Sequence, residues 1–152
     1  MLVCRALKTS GADVTETRTL RERVAACGCG QLTVKALGEP LDVYACSCRD
    51  CQRRSGGAFS YAALYPEPMT AVAGQHRIFR RHGDSGRWIE TRFCPTCGMT
   101  VCFTGEALPG LVGIAVGCFA DADFPPPRRH YWTSRRHRWL EIADDVEAIE
   151  TQ

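Results

Sequence analysis

Three cysteines within six residues, Cys46-Ser47-Cys48-Arg49-Asp50-Cys51, constrain this chain more than any other feature. Thiols so close in sequence cannot staple a fold through disulfides, but they can converge on one metal ion. A zinc held by four protein ligands is structural, whereas one held by three keeps a position for water or substrate. The stretch leaves both outcomes open. A fourth ligand would have to come from Cys102, Cys118, His76, His82, His130 or His137.

A second set lies on either side, as Cys27-Gly28-Cys29-Gly30 and Cys94-Pro95-Thr96-Cys97-Gly98. On an extended strand residues i and i+2 face the same way, so a C-x-C pair can turn both sulfurs to one side. In C-x-x-C-G the chain folds back in a tight knuckle. Pro95 fixes its start and Gly98 allows the positive φ it demands. Two plus two closes a tetrahedron, which predicts a structural zinc worth ~10 kcal/mol or more of metal-linked folding energy. A redox dithiol at Cys94 and Cys97 would want a helix starting at the first cysteine in a βαβ setting, and neither is predicted. Of the three cysteines outside these pairs, Cys4, Cys102 and Cys118, the last two read as small buried hydrophobes.

The 152 residues fit one domain, with residues 1–22 a polar tail or extra strand and residues 23–152 the zinc domain. Leu32, Val34 and Ala36 alternate with polar neighbours up to a turn at Gly38-Glu39-Pro40, and Leu41 to Ala45 then leads into the triple-cysteine stretch. A short helical turn over Arg49 to Arg54 stops at Ser55-Gly56-Gly57. Phe59 to Tyr65 reads as a buried strand, and Gln75 to Arg81 with Arg87 to Phe93 as a hairpin around His82 to Gly86. Met99 to Phe103 and Leu111 to Phe119 follow as strands, and Tyr131 to Ile142 as a closing segment anchored by Tyr131, Trp132 and Trp139. Short strands separated by turns, without a long 3.6-residue pattern, make the fold mainly β.

With 19 basic and 17 acidic side chains there is no broad field to recruit nucleic acid or an anionic membrane. No apolar run approaches the ~18 residues of a membrane span, and Met1-Leu2-Val3-Cys4-Arg5 breaks off before a secretory core of ~7 apolar residues can form. A cytoplasmic, reducing setting is expected, and it favours thiolate and metal chemistry.

C-x-C-G, then C-x-C-x-x-C, then C-P-x-C-G, in this order and spacing, resembles the glutathione-dependent formaldehyde-activating enzyme family, which includes the domain of centromere protein V. The likeness runs from about Val24 to Leu140. It takes in Gly38-Glu39-Pro40, Arg53-Arg54-Ser55-Gly56, Ala58-Phe59, His130-Tyr131-Trp132 and Trp139. The resemblance implies a β-tent fold of small coiled antiparallel sheets organised around zinc. It also implies a structural site at Cys27, Cys29, Cys94 and Cys97 and a catalytic one at Cys46, Cys48 and Cys51. The implied activity is that of a carbon-sulfur lyase, which forms or cleaves S-hydroxymethylglutathione. Ser47 departs from the family, where this position is commonly histidine.

Three thiolates around Zn2+ leave a formal charge of about −1, a weak Lewis acid suited to holding an incoming thiol as thiolate beside a small carbonyl. The expected partner is therefore a small-molecule thiol or its adduct. Arg49, Arg53 and Arg54 follow the metal loop closely enough to offset its charge, and Arg53 and Arg54 are candidates for a glutathione-like carboxylate. His82 and Asp84 are conceivable proton carriers that nothing in the sequence places at the site. The alternative is a non-enzymatic zinc module that binds protein or nucleic acid through Arg128-Arg129-His130 and Arg135-Arg136-His137-Arg138, with aromatics between them. The near-balanced charge argues against its nucleic-acid form. A methionine sulfoxide reductase would want an R-x-C-x-N segment, which neither Cys102 nor Cys118 supplies. No sequence feature specifies an oligomer.

Overall fold

The computed structural model describes residues 20–83 and 85–152. Cys4, Asp84 and all but the last three residues of the expected N-terminal tail lie outside the described residues. Among the described residues the chain is mainly β. Its strands are β1 (Glu22–Ala26), β2 (Thr33–Leu37), β3 (Asp42–Cys46), β4 (Ser60–Pro66), β5 (Thr70–Ala73), β6 (Arg77–His82), β7 (Trp88–Phe93), β8 (Thr100–Gly105), β9 (Leu111–Ala115), β10 (Arg129–Tyr131) and β11 (Glu147–Ile149), and one α-helix, α1 (Arg49–Ser55), follows β3. No helix among them is long and apolar enough to cross a membrane.

The strands form a three-stranded sheet in the order β1-β2-β5 and an eight-stranded sheet in the order β11-β10-β3-β4-β9-β8-β7-β6. The larger sheet has a narrow waist, because β8 and β9 pair only through Cys102–Ile114 and Phe103–Gly113. Alternation drives the outer strands: Ala25, Val34 and Ala36 point inward and their neighbours outward. β4 is buried on both faces from Ala62 to Leu64, as a strand flanked by β3 and β9 should be. Cys102 is fully buried and joins the core cluster, and Cys118 packs against it, in line with their reading as small hydrophobes. The Gly38-Glu39 turn has a further use. It receives the buried Arg23 guanidinium, which donates to the Gly38 carbonyl at 3.1 Å and to Glu39 at 2.8 Å.

The structure corrects the sequence reading at two segments. The apolar run from Leu111 does not stay extended to Phe119: β9 ends at Ala115 and Val116–Phe119 is a 3-10 turn that carries Val116 into the core. A short apolar run satisfies either conformation, so periodicity cannot separate them. In the closing segment, only Arg129–Tyr131 is a strand, and Trp139 is no anchor, being 71% exposed and stacked on His137. Strands β10 and β3 run parallel, as do β10 and β11, which local alternation does not reveal.

At the waist Phe103 lies opposite Gly113, and a Cβ built on that glycine would come within 2.2 Å of the ring. The bare backbone thus provides the seat for Phe103. Gly113→Ala should cost about 1–3 kcal/mol in urea unfolding through overpacking. The penalty should shrink when Phe103→Leu removes the ring, and an equal cost in both backgrounds would show that the ring is not the obstacle.

Candidate metal centre

The outer cluster forms where two turns meet. Cys27 follows β1 and Cys29 lies in the turn toward β2, while Cys94 and Cys97 occupy the turn after β7. The sulfurs of Cys27 and Cys29 are 3.6 Å apart and those of Cys29 and Cys94 3.5 Å, and all four lie within 4.8 Å of one another. Sulfur contacts near ~3.8 Å are what ~2.3 Å metal–sulfur bonds produce in a tetrahedron, so the donor set fits a metal such as zinc. The Cys27-Gly28-Cys29 pair converges through a turn rather than along a strand, so strand alternation is not the reason its sulfurs share a side. Gly98 adopts φ of 74°, as the C-x-x-C-G knuckle requires, and its amide closes the turn onto the Cys94 carbonyl. The Leu32 amide donates to Cys27 Sγ at 3.2 Å and brings that thiol down to about 6, toward the thiolate a metal needs.

The inner cluster is Cys46, Cys48 and Cys51, again within 4.8 Å of one another. β3 ends in Cys46, Cys48 caps α1 by accepting the Cys51 amide at 3.4 Å, and Cys51 is buried in the helix's first turn. Gly56 ends α1 in the left-handed region. None of Cys102, Cys118, His76, His82, His130 and His137 joins the three sulfurs among the described residues. Hydrogen bonds from Cys46 and Cys48, with Arg54 close by, hold the Cys51 thiol far below its ordinary range, while the same contacts push Cys46 up.

The cluster opens into a pocket of about 200 Å³. β3 sends Asp42, Tyr44 and Cys46 to it, and Trp88, Phe103 and Tyr131 form much of the wall. Arg54 also lines the pocket, its guanidinium 4.6 Å above the Phe103 ring and 3.9 Å from Cys51 Sγ. Arg53 points elsewhere: its side chain is 79% exposed and 3.8 Å from Asp50. Arg49 is exposed as well. Sequence reasoning missed the β6–β7 hairpin, which supplies Arg81, Arg87 and Trp88 to the opposite wall, with Arg81 bound to Asp50 of α1 at 2.6 Å. His82 ends β6 exposed and does not line the pocket. Burial raises the Tyr44 phenol well above its ordinary range. Phe59 packs edge-on against His130 rather than walling the pocket.

Ser47 is fully buried between two of the ligand candidates. Its amide donates to the Tyr131 carbonyl at 2.9 Å, and its hydroxyl lies 3.2 Å from the Ala58 carbonyl and 2.8 Å from His130 Nε2. A hydroxyl has one proton. Given to Ala58, it leaves Ser47 Oγ as acceptor for a protonated Nε2, so the network selects that tautomer. Burial, with Arg136 nearby, lowers the His130 pKa and keeps the ring neutral. Gln52 reinforces the junction by donating to the carbonyls of Ser47 and Arg135 at 2.8 and 2.9 Å. The basic run that suggested a nucleic-acid surface is partly committed. Arg129 pairs with Asp42 and Glu147, Arg136 donates to the Thr133 and Leu140 carbonyls, and Arg135 stacks on Trp132.

Comparison with known proteins bears on the family and the fold. The sequence model of the family described as glutathione-dependent formaldehyde-activating enzyme matches residues 22–135. No curated protein matches the chain. The chain is similar in fold to the crystal structure of a Rhodobacter sphaeroides protein solved as a structural-genomics target. The two share 22% identity with a TM-score of 0.51, over 68% of this chain and 91% of that one.

Ser47→Ala removes the partner of a buried histidine nitrogen and should lower the unfolding free energy by about 1–3 kcal/mol. Chemical denaturation of the metal-loaded protein measures it. A loss below about 0.5 kcal/mol would show that the contact contributes no net stability.

Proposed function

The chain belongs to the glutathione-dependent formaldehyde-activating enzyme family, and from that premise we propose that it is a zinc-dependent carbon-sulfur lyase. It forms or cleaves the adduct between a glutathione-like thiol and a small carbonyl such as formaldehyde. The observation that carries this reading is the inner cluster. Three sulfurs converge at the base of a pocket, and no fourth ligand joins them among the described residues. In this reading Cys27, Cys29, Cys94 and Cys97 hold a structural zinc, and Cys46, Cys48 and Cys51 hold the catalytic one. The active unit is residues 23–152, working in a reducing compartment such as the cytoplasm.

A zinc held by three thiolates with an open position supplies a place for an incoming sulfur to bind as thiolate near neutral pH, where a free thiol of pKa ~8.5 is mostly protonated. The protein's own residues do the rest. Arg54, beside Cys51, offsets the excess negative charge of three thiolates and offers a guanidinium to a substrate carboxylate. Arg53 adds positive charge from outside the pocket. The aromatic side chains lining the pocket exclude water from the carbonyl carbon, which would otherwise hydrate. The Arg81–Asp50 pair holds the hairpin wall against α1, so the thiol and the carbonyl are confined together.

Metal analysis of gently purified protein should find two zinc ions per chain, one of them released by a mild chelator. Cys48→Ala should retain one zinc and lose at least 100-fold in turnover of glutathione with formaldehyde, on the order of what removal of a catalytic metal ligand costs. One tightly held zinc, unchanged in Cys48→Ala, would sink the catalytic-metal reading.

A further inference from the structure

Ser60 opens β4 directly opposite Cys46, and residues paired across an antiparallel ladder send their side chains to the same face of the sheet. That face runs on through Ala62 opposite Tyr44 and Leu64 opposite Asp42, and Leu64 lines the pocket. Ser60 does not. It is 6% exposed and lies behind the pocket wall, in the row of the sheet that ends at the inner cluster.

The Ser60 hydroxyl is buried and has no hydrogen-bond partner among the described residues. An unpaired buried hydroxyl is costly, so its surroundings should supply an acceptor. The carbonyls just before it in the chain are taken, Ala58 by Ser47 Oγ at 3.2 Å and Phe59 by Ser55 Oγ at 2.9 Å. Sulfur is what remains on its face. Cys46 stands across the ladder, and α1, whose first turn buries Cys51, packs against β4. The Cys51 thiol, held down first by Cys46 and Cys48 and then by Arg54, is drawn down by this hydroxyl as well.

We propose that the Ser60 hydroxyl donates a hydrogen bond to a thiolate of the inner cluster and is a positioning residue for the open metal site, a role that rests on the cluster holding a metal as proposed above. A thiolate accepts from a hydroxyl far better than a neutral thiol does, so the bond reaches full strength when the sulfurs are deprotonated on an ion. Three thiolates push more charge toward Zn2+ than two positive charges balance, and a donor behind one of them draws part of it back. The ion then keeps more of its pull for a ligand arriving from the pocket. Because Ser60 stands outside the pocket, it acts through the sulfur and not on a substrate.

Cobalt tests this directly. Co2+ bound by thiolates absorbs through charge transfer from sulfur to metal, and a hydrogen bond to the sulfur raises the energy of that transition. The whole chain, relieved of its labile ion by a mild chelator, is titrated with Co2+, and absorption that disappears in Cys48→Ala belongs to the inner cluster. Ser60→Ala removes one oxygen, and its circular-dichroism spectrum checks that it is folded. Its charge-transfer band should move to longer wavelength, and its Co2+ affinity, measured against a chromophoric chelator, should fall about 10–100-fold. Ser60→Thr keeps the donor and should hold the band in place, with affinity within about threefold of wild type. A packing role alone would weaken affinity without moving the band. An unmoved band in Ser60→Ala therefore overturns the proposal whatever the affinity, and so does an equal shift in Ser60→Thr, both leaving the metal reading standing. A wild type with no cobalt absorption that depends on Cys48 overturns the metal reading and the role of Ser60 with it.

Discussion

Sulfurs from residues 65 positions apart, Cys29 and Cys94, meet at 3.5 Å, and the arrangement of the two sheets depends on that meeting. The three-stranded sheet is a small unit whose β1–β2 turn and the turn after β7 are drawn together by four thiols. Four sulfurs so close cannot all carry charge without a cation between them, because like charges in contact raise one another's pKa. The opposing shifts of Cys27, about 6, and Cys29, about 12, record that conflict. A cation resolves it for all four at once, which is why such a cluster couples metal binding to folding.

The inner cluster meets the same conflict with different neighbours. Its sulfurs are mostly buried, the helix they begin is only seven residues long, and the nearest positive charge comes from Arg54. The β3 backbone, the Ser47–His130 contact and the Gln52 bond to the Ser47 carbonyl hold the loop in place independently of the thiols. A loop fixed from three sides can keep a coordination position open, because it does not need a fourth ligand to stay folded. In the outer cluster the four thiols themselves join two turns, a geometry that suits a closed set of four donors.

Much of this was legible in the sequence, since the information was local. Cysteine spacing gave both clusters, Gly56 and Gly98 marked their turns, and alternation in Leu32, Val34 and Ala36 gave the first hairpin. What escaped was long-range. Nothing near Arg129 or Tyr131 says that they lie beside Tyr44 and Cys46 in parallel register, yet that pairing brings His130 to Ser47 and Tyr131 to the pocket. Likewise Arg81 looks like one more exposed arginine until the hairpin folds over α1. Arg53 and Arg54 are adjacent and chemically alike, and the pitch of the helix alone decides which one reaches the pocket. Trp139 misled because an aromatic side chain in an arginine-rich run carries no sign of which neighbour will cover it.

The larger sheet has two edges, and β6 is the one that also forms part of the pocket through the hairpin it shares with β7. One wall of the site is therefore rigid, committed to thiols and buried strands, and the facing wall hangs from a terminal hairpin whose turn can lengthen or change residues without altering any register in the sheet. A pocket built this way can change its shape and charge at a few loop positions while the cysteine cluster opposite stays as it is.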